Sequence, residues 1–598
     1  MANFYTDNDD IRFLFKHLDL APLAEMREDG FKYARDFDTA PVDAAEAEAN
    51  YELVLQSLGQ LCGEFIAPRA ENVDREGNTL NADGTVTRAQ GIQEALDKLA
   101  QAEVMGFTLP HRFGGLNFPN LIYSMAIEIL SRADASLMNL FGLQGIADTI
   151  NAFADEDIKQ KYLHDLAAGK TTGAMVLTEP DAGSDLQAVK VKAFQDAQGQ
   201  WVLHGVKRFI TNGCGEVLLV MARSEPDRTG GMGLSLFVCM PGPTVHIRRL
   251  EDKLGIHGSP TCEIFFDNTP CELVGERQRG LVPYVASLMN GARIGIAGQS
   301  LGIAEAAYSV ARDYAASRKQ FGVAIEKLPA VRDMLIEMRL QIEASRALLY
   351  ETSRVVDFEQ GLAAQLEANP KADKAVKQEA RKYKRLAAML TPMSKYYCSE
   401  MCNSVAYDSI QVLGGSGFMR DYASERHARD ARITTIYEGT SQLQVVAAVR
   451  GVCSGTAEKY LTEMSKKTYD ADLKDLLDLL AQGCEWMLKG IAVIKENGND
   501  FMDLYGRKIV DVAQDLIIGY LFCDQASSTV EMDVPVSGDG NTAADGKSIS
   551  MKQRKALVAR RFITRNAAKI EALVKQVVDA DKSTFEVYES LVGPVVME

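Results

Sequence analysis

At 434–444 the chain reads TTIYEGTSQLQ, which sets one carboxylate, Glu438, between a tyrosine and a glycine. Two roles suit that pattern. A glutamate at the start of a helix is favoured by the helix dipole and needs no further purpose. The same carboxylate, shielded from water and aimed at a weak C–H acid, is a general base. Three other segments carry comparable features. LTEPDAGSD at 177–185 places Gly183 and Ser184 in a turn whose N–H groups can face an anion or a ring acceptor, or simply close a loop. KRFITNG at 207–213 sets Phe209 and Thr211 two apart, hence on one face of a strand, where an aromatic covers a flat ring or packs a core. SRKQFG at 317–322 ends a long helical run with Arg318, which reaches a diphosphate or caps the helix. Upstream of Glu438, QVLGGSGF gives paired glycines at 414–415 that permit close backbone approach, and the Arg/Asp/Glu alternation after it reads as an ion-pair network.

The elements that must hold these segments follow from periodicity. Val54, Leu58, Leu61 and Phe65 recur at helical steps, and helical text continues to about 170, broken by LPHRFGGLNFPN at 109–120. From about 171 to 280 short β-rich runs alternate with Gly, Asp, Asn and Pro, the pattern of antiparallel strands and turns; no helices separate them, which disfavours a parallel Rossmann sheet. Helices return at about 283, where Ile294, Ala297, Leu301, Ala304, Tyr308 and Ala311 form one packing stripe. The polar stretch 355–390 reads as a solvated helical hairpin or insertion. A further helical block follows 450, interrupted by SGDGNTAADGKS at 537–548, which is expected to be a mobile loop.

Composition narrows the chemistry. At 598 residues several domains are expected, and 46% hydrophobic with 25% charged residues is a globular balance. A net charge of −17 argues against a nucleic-acid partner. The first residues carry no basic-then-apolar signal, and no apolar run reaches the roughly 20 residues of a spanning helix, so a cytoplasmic protein is expected. GxxxxGK[ST], HExxH, GxSxG and a convincing GxGxxG are missing, and the seven histidines show no ligand spacing, so no metal is expected. Cys398 and Cys402 share a helix face, as a redox or metal pair would, or as two buried thiols.

Together and in this order, LTEPxAGSD, Lys-x-aromatic-Ile-Thr-Asn, RKQFG, QxxGGxGF and RDARITxIYEGT, with KLGIHGSPTCEIFFDN at 253–268, resemble the acyl-CoA dehydrogenases over roughly 50–450. The tail and overall length resemble the larger homodimeric subgroup, which includes methylmercaptopropionyl-CoA dehydrogenases. The resemblance implies an α+β fold: an N-terminal helical domain (1–170), an antiparallel β-barrel (171–282), a four-helix-bundle-like domain (283–450) and an additional helical domain (451–598).

It further implies FAD, an acyl-CoA substrate and an electron-transfer flavoprotein as partner. Leu177 and Thr178 would face the flavin, Ser184 would bond the cofactor or substrate, and Phe209, where many relatives have Trp, would cover the ring beside Thr211. Arg318, Gln320 and Phe321 would meet the adenosine-diphosphate half of a neighbouring subunit's FAD, with Gln411, Gly414 and Gly415 on its other side and Thr440 and Gln442 also in contact. Glu438 would remove the α-proton of the thioester while hydride leaves Cβ for flavin N5. Tyr437, Gly439, Asn290 and Arg293 would line the substrate. Some members carry the base just before that arginine; here the residue is Ala292, so the role falls to Glu438. An acyl-CoA oxidase shares the fold and the carboxylate, and a non-catalytic assembly relative or one attached to a membrane through its tail is the other alternative. Straight, thioether-bearing, branched or alicyclic, and aryl-substituted acyl groups all remain open.

Overall fold

The computed structural model describes residues 2–535 and 548–595. The chain divides into two compact units. One is built mainly from the residues up to Tyr383 together with Ser394–Ser441, the other from Lys384–Met393 and the chain from Gln442 onward. The interruption expected at 537–548 lies outside the described residues except for Ser548, which pairs with Pro535 in a short antiparallel ladder.

The first unit opens with α1 (Asp9–His17), an element that the mixed, acidic opening of the chain concealed. Asn8 caps it through the amides of Asp10 and Ile11, and Ile11, Phe13, Leu14 and Phe15 are buried. In α2 (Ala44–Leu61) the helix is as expected but its inward face is displaced from the stripe read at 54, 58, 61 and 65. Tyr51, Leu55, Leu58, Cys62 and Ile66 are the buried set, while Val54, Leu61 and Phe65 are only partly covered. Small residues decide this. A Cβ on Gly59 would meet the Tyr5 amide at 2.7 Å and one on Gly63 the Ala2 carbonyl at 2.3 Å, so the N-terminal strand of chain lies directly on that side. Helices α3 (Asn120–Ala133), α4 (Ala135–Leu143), α5 (Ile146–Phe153) and α6 (Glu156–Ala167) complete the helical part.

The middle of the unit is an eight-stranded sheet: β1 (Gly173–Val176), β2 (Lys192–Gln195), β3 (Trp201–Thr211), β4 (Val217–Arg223), β5 (Leu234–Cys239), β6 (Val245–Leu250), β7 (Thr261–Pro270) and β8 (Glu272–Val274). Its order is β8-β5-β4-β2-β3-β7-β6, with β1 added beside β4. Most neighbours are antiparallel, but β1 and β2 both pair β4 in parallel, pairings that short runs without intervening helices did not announce. β4 shows why its sequence is apolar throughout. Leu218, Val220 and Ala222 point into an interior shared with side chains of all the other strands, as in a barrel. Val217, Leu219 and Met221 point outward and are covered by Ile146, Ile150, Tyr162 and Leu166 of α5 and α6.

After the sheet, α7 (Ala286–Ser317) lays its expected stripe inward, with Tyr308 the partly exposed member. Its glycines bring it against α3: a Cβ on Gly302 would stand 2.4 Å from the Glu128 carbonyl, so only hydrogen fits there. α8 (Pro329–Ala368) and α9 (Lys374–Leu413) form the hairpin read at 355–390, and Phe358 stacks on Tyr383 across it at 5.0 Å. Arg346 of α8 lies fully buried among Asp10, Glu128 and Glu305. α10 (Ser424–Arg432) ends the unit's regular structure before the Glu438 turn.

The second unit contains α11 (Ser441–Cys453) from its second residue, and α12 (Lys474–Asn497), α13 (Asn499–Ala526) and α14 (Met551–Val578). Small residues again set the contacts: Gly483 of α12 packs on Leu516, and Gly519 of α13 on Leu480 and Ile563. Among the described residues no helix is long and apolar enough to cross a membrane.

Candidate active site

Glu438 is not a helix-start acid. α11 begins at Ser441, and Glu438 sits three residues earlier with φ of 55°, followed by Gly439 at 91°. Left-handed backbone is costly for a residue with a Cβ, so Glu438, unlike Gly439, needs support from outside. Two side chains supply it. The Tyr437 hydroxyl donates to Oε1 of Gln299 on α7, with Asn139 Oδ1 of α4 at 3.3 Å. Gln299 is itself fixed, its Nε2 donating to Ala135 O and Asn139 Oδ1 at 2.9 and 2.8 Å. Lys395 of α9, fully buried, donates from Nζ to the Gly439 carbonyl at 2.8 Å.

Charge follows the same geometry. Burial pushes the Glu438 carboxyl up to about 7, against the pull of Lys395 and Arg293. Burial brings Lys395 down to about 7, with Glu438 opposing and Arg293 assisting. Arg293 of α7 is likewise lowered by burial. Its Nη1 donates to Asn290 Oδ1 at 3.0 Å, while its buried Nε has no hydrogen-bond partner among the described residues. A Cβ on the adjacent Gly291 would meet nothing within 4 Å. The result is a half-buried carboxylate poised near neutrality in the field of two cations.

The approach to the turn is held by the network expected from the charge alternation. Arg429 of α10 binds Asp74 through Nη1 and Nη2 at 2.9 and 2.7 Å and Glu425 through Nε at 2.6 Å. Asp430, buried and pushed up to about 6, accepts the Ile256 amide at 2.6 Å.

Other candidate residues fall into two groups. Near the sheet, Leu177 is buried, its carbonyl accepting from Lys207 Nζ at 2.6 Å, and the Thr178 carbonyl accepts the Arg208 amide at 3.0 Å. Ser184 is exposed in its turn. Phe209 and Thr211 do not share a face by simple alternation, because the β3–β7 ladder shifts register between Lys207 and Ile210. Phe209 occupies that bulge at φ of 60°, its ring 53% exposed under the Arg208 guanidinium. Thr211 pairs with Thr261, two residues from Ser259, whose Oγ accepts from Asn139 at 3.2 Å; strand and base turn therefore share one chain of contacts.

The second group lies at the far end of α7. Arg318 is exposed there, Gln320 pairs Val323, and Phe321-Gly322 forms the tip of that small hairpin at φ of 52° and 82°. Phe321 is 91% exposed. Gln411 is exposed, and Gly414 and Gly415 face open space. Tyr314 ties this end together, its hydroxyl donating to Ser416 Oγ at 3.2 Å. Thr440 is half-buried in the turn; Gln442 is exposed in the second unit. Cys398 and Cys402 are buried free thiols, both held well above the usual thiol range by burial.

Sequence reasoning missed Lys395, Gln299 and Asn139. The available signal was an amide side chain in an apolar helical run, as at Asn139 in SLMNLFGL and Gln299 in IAGQSLGIA; Lys395 in PMSKYYCSEM, with Ser394 and Glu400 nearby, offered none.

Family models match almost the whole first unit. The acyl-CoA dehydrogenase N-terminal domain covers residues 48–170, the middle domain 174–269 and the C-terminal domain 280–452. The 3-methylmercaptopropionyl-CoA dehydrogenase of Ruegeria pomeroyi is 33% identical over 465 residues, 73% of this chain and 74% of that one. A chain solved in work on the electron transferring flavoprotein of Acidaminococcus fermentans is 30% identical with a TM-score of 0.58, covering 67% of this chain and 97% of that one. The acyl-CoA dehydrogenase complexed with FAD from Bacillus anthracis has a TM-score of 0.72 over 91% of this chain and 90% of its own; at 21% identity it shows the fold alone, including the C-terminal helices.

Proposed function

The chain belongs to the acyl-CoA dehydrogenase family, and on that premise we propose that it oxidises an acyl-CoA thioester to the 2-enoyl-CoA with Glu438 as the base. The observation that carries the reading is the Glu438 turn: a carboxylate on left-handed backbone held through Tyr437 and Lys395 and raised to about 7 by burial. A thioester α-proton is very weakly acidic. A carboxylate near neutrality is half ionised at physiological pH and is a far stronger base than an ordinary one at 4.5. In this reading the α-proton passes to Glu438, whose own backbone N–H donates to the thioester oxygen as negative charge builds there. Arg293 and Asn290 bind the CoA portion, Tyr437 and Gly439 line the acyl group, and Ala292 leaves the base role to Glu438.

The candidate cofactor residues suit FAD. They offer exposed aromatic faces at Phe209 and Phe321, an open glycine ledge at 414–415 and a surface cation at Arg318. Leu177, Thr178, Ser184, Phe209 and Thr211 would hold the flavin end. Arg318, Gln320, Phe321, Gln411, Gly414, Gly415, Thr440 and Gln442 would hold the rest. When bound, FAD supplies the two-electron oxidant that takes the Cβ hydride. The outward aim of Phe321 supports a homodimer in which a second copy completes that site. The relative from the electron-transferring-flavoprotein work supports such a flavoprotein as electron acceptor. The working domain division remains 1–170, 171–282, 283–450 and 451–598.

The test is Glu438→Gln. The variant is expected to purify yellow and to bind acyl-CoA with little change, while anaerobic bleaching of the flavin by acyl-CoA slows by about 10²–10⁴-fold. Bleaching at the wild-type rate would remove Glu438 from the reaction. Hydrogen peroxide formed in step with substrate loss would move the protein from the dehydrogenases to the oxidases.

A further inference from the structure

Lys395 is a lysine with no exposed surface, placed by α9 against the backbone that carries the base. A buried ammonium is expensive unless paired, and here Nζ donates to the Gly439 carbonyl. We infer that Lys395 is a positioning residue for the base: it pins the left-handed Glu438–Gly439 turn through the Gly439 carbonyl and supplies the positive field that keeps Glu438 ionised for proton abstraction. This inference rests on the reading of Glu438 as base.

The surroundings give that field its sign. Facing Glu438 are Lys395 from α9, Arg293 from α7 and the neighbouring Tyr437 hydroxyl; Glu400 is the other acid near Lys395, and it accepts from Ser441 Oγ at 2.6 Å. Both cations lower the Glu438 pKa against burial, and Lys395 is the larger of the two effects. Arg293 has a separate use in the proposed substrate contact, so its charge is partly engaged elsewhere when acyl-CoA binds. Lys395 is enclosed, and its ammonium, held protonated below about 7, acts over the acid limb where Glu438 takes up its proton.

Three substitutions separate the two tasks. Lys395→Gln keeps a donor without charge, Lys395→Met removes both, and Lys395→Arg keeps the charge. The measurement is the pH profile of anaerobic flavin reduction by acyl-CoA on the FAD-loaded dimer, with FAD content and thermal midpoint recorded alongside. An opposite charge within a few ångströms displaces a carboxylate by roughly 1–3 pH units. Lys395→Gln is therefore expected to move the acid limb upward by about that amount, with KM and FAD content unchanged and Lys395→Arg restoring the limb. Lys395→Met is expected to show the same shift and a lower alkaline plateau as well. An acid limb in Lys395→Gln that coincides with wild type overturns the inference, whether or not Lys395→Met folds. Glu438→Gln run in parallel keeps the two ideas apart. If it still reduces flavin at the wild-type rate, the base reading is what has failed.

Discussion

A carboxylate held at about 7 is a stability statement as well as a catalytic one, and Glu438→Gln exposes it. In the unfolded chain the group ionises near 4.5; in the folded chain it ionises near 7. Between those values the folded state binds more protons than the unfolded one, so stability falls as pH rises through that window and the loss is complete above it. At about 1.36 kcal/mol per unit, the 2.5-unit displacement amounts to about 3 kcal/mol at pH 8 and about 1 kcal/mol at pH 5. Glutamine is nearly isosteric and carries no charge, so it removes this term. Part of the gain is offset, because Lys395 loses a nearby counter-charge and is neutralised more easily. The expected net stabilisation at pH 8 is therefore about 1–3 kcal/mol, or about 1–3 °C in thermal midpoint for a unit of this size, shrinking toward zero by pH 5. The assay is a pair of melting series on wild type and variant at matched FAD occupancy across pH 5 to 8. A difference that is flat with pH, or a variant destabilised at both ends, would refute the placement of Glu438 in a site that disfavours its charge.

Two further outcomes follow from groups away from the base. Arg346→Met leaves Asp10, Glu128 and Glu305 buried together without their shared cation, and unfolding by denaturant should show a loss of about 3–5 kcal/mol; a loss under 1 kcal/mol would mean that the three acids are not ionised together. Phe321→Ala removes a ring that is 91% exposed, so the melting of FAD-stripped protein should not change, whereas FAD retention through gel filtration should drop; equal retention would take Phe321 out of the cofactor site.

What the sequence disclosed, and what it hid, divides along physical lines. Element order was legible because β4 is a short apolar run between turn residues and α7 carries an open helical stripe, and Glu438 was legible because Tyr-Glu-Gly-Thr is a local pattern. The inward face of α2 was not, since it depends on Gly59 and Gly63 meeting residues 2–5, a contact that no period records. Asp10 looked like one more acid in a mixed N-terminus; its partner Arg346 lies 336 residues away. Phe209 and Thr211 were assigned by alternation, and alternation fails where a bulge inserts a residue into one strand. Lys395 escaped because a lysine in a helix reads as solvent-facing, and only the fold places Gly439 over it.

Three non-glycine residues singled out by motif, Phe209, Phe321 and Glu438, share one backbone property: each has φ between 52° and 60°. Each such conformation costs of order 1–3 kcal/mol and persists only where its surroundings repay it. For Glu438 the repayment is visible in the Tyr437–Gln299 and Lys395–Gly439 bonds. Phe209 has the Arg208 guanidinium over its ring, 4.5 Å from the centroid, and Phe321 sits at a hairpin tip with its ring in solvent. Selection for the stability of the single chain alone would favour glycine at such a tip, as at Gly322 beside it. That an aromatic stands there argues that its contacts are made with something the single chain does not contain, and the same reasoning applies, more weakly, to Phe209. Strain at the base is balanced within the chain, whereas the exposed rings of Phe209 and Phe321 leave surface that the FAD and second copy of the proposed site would cover.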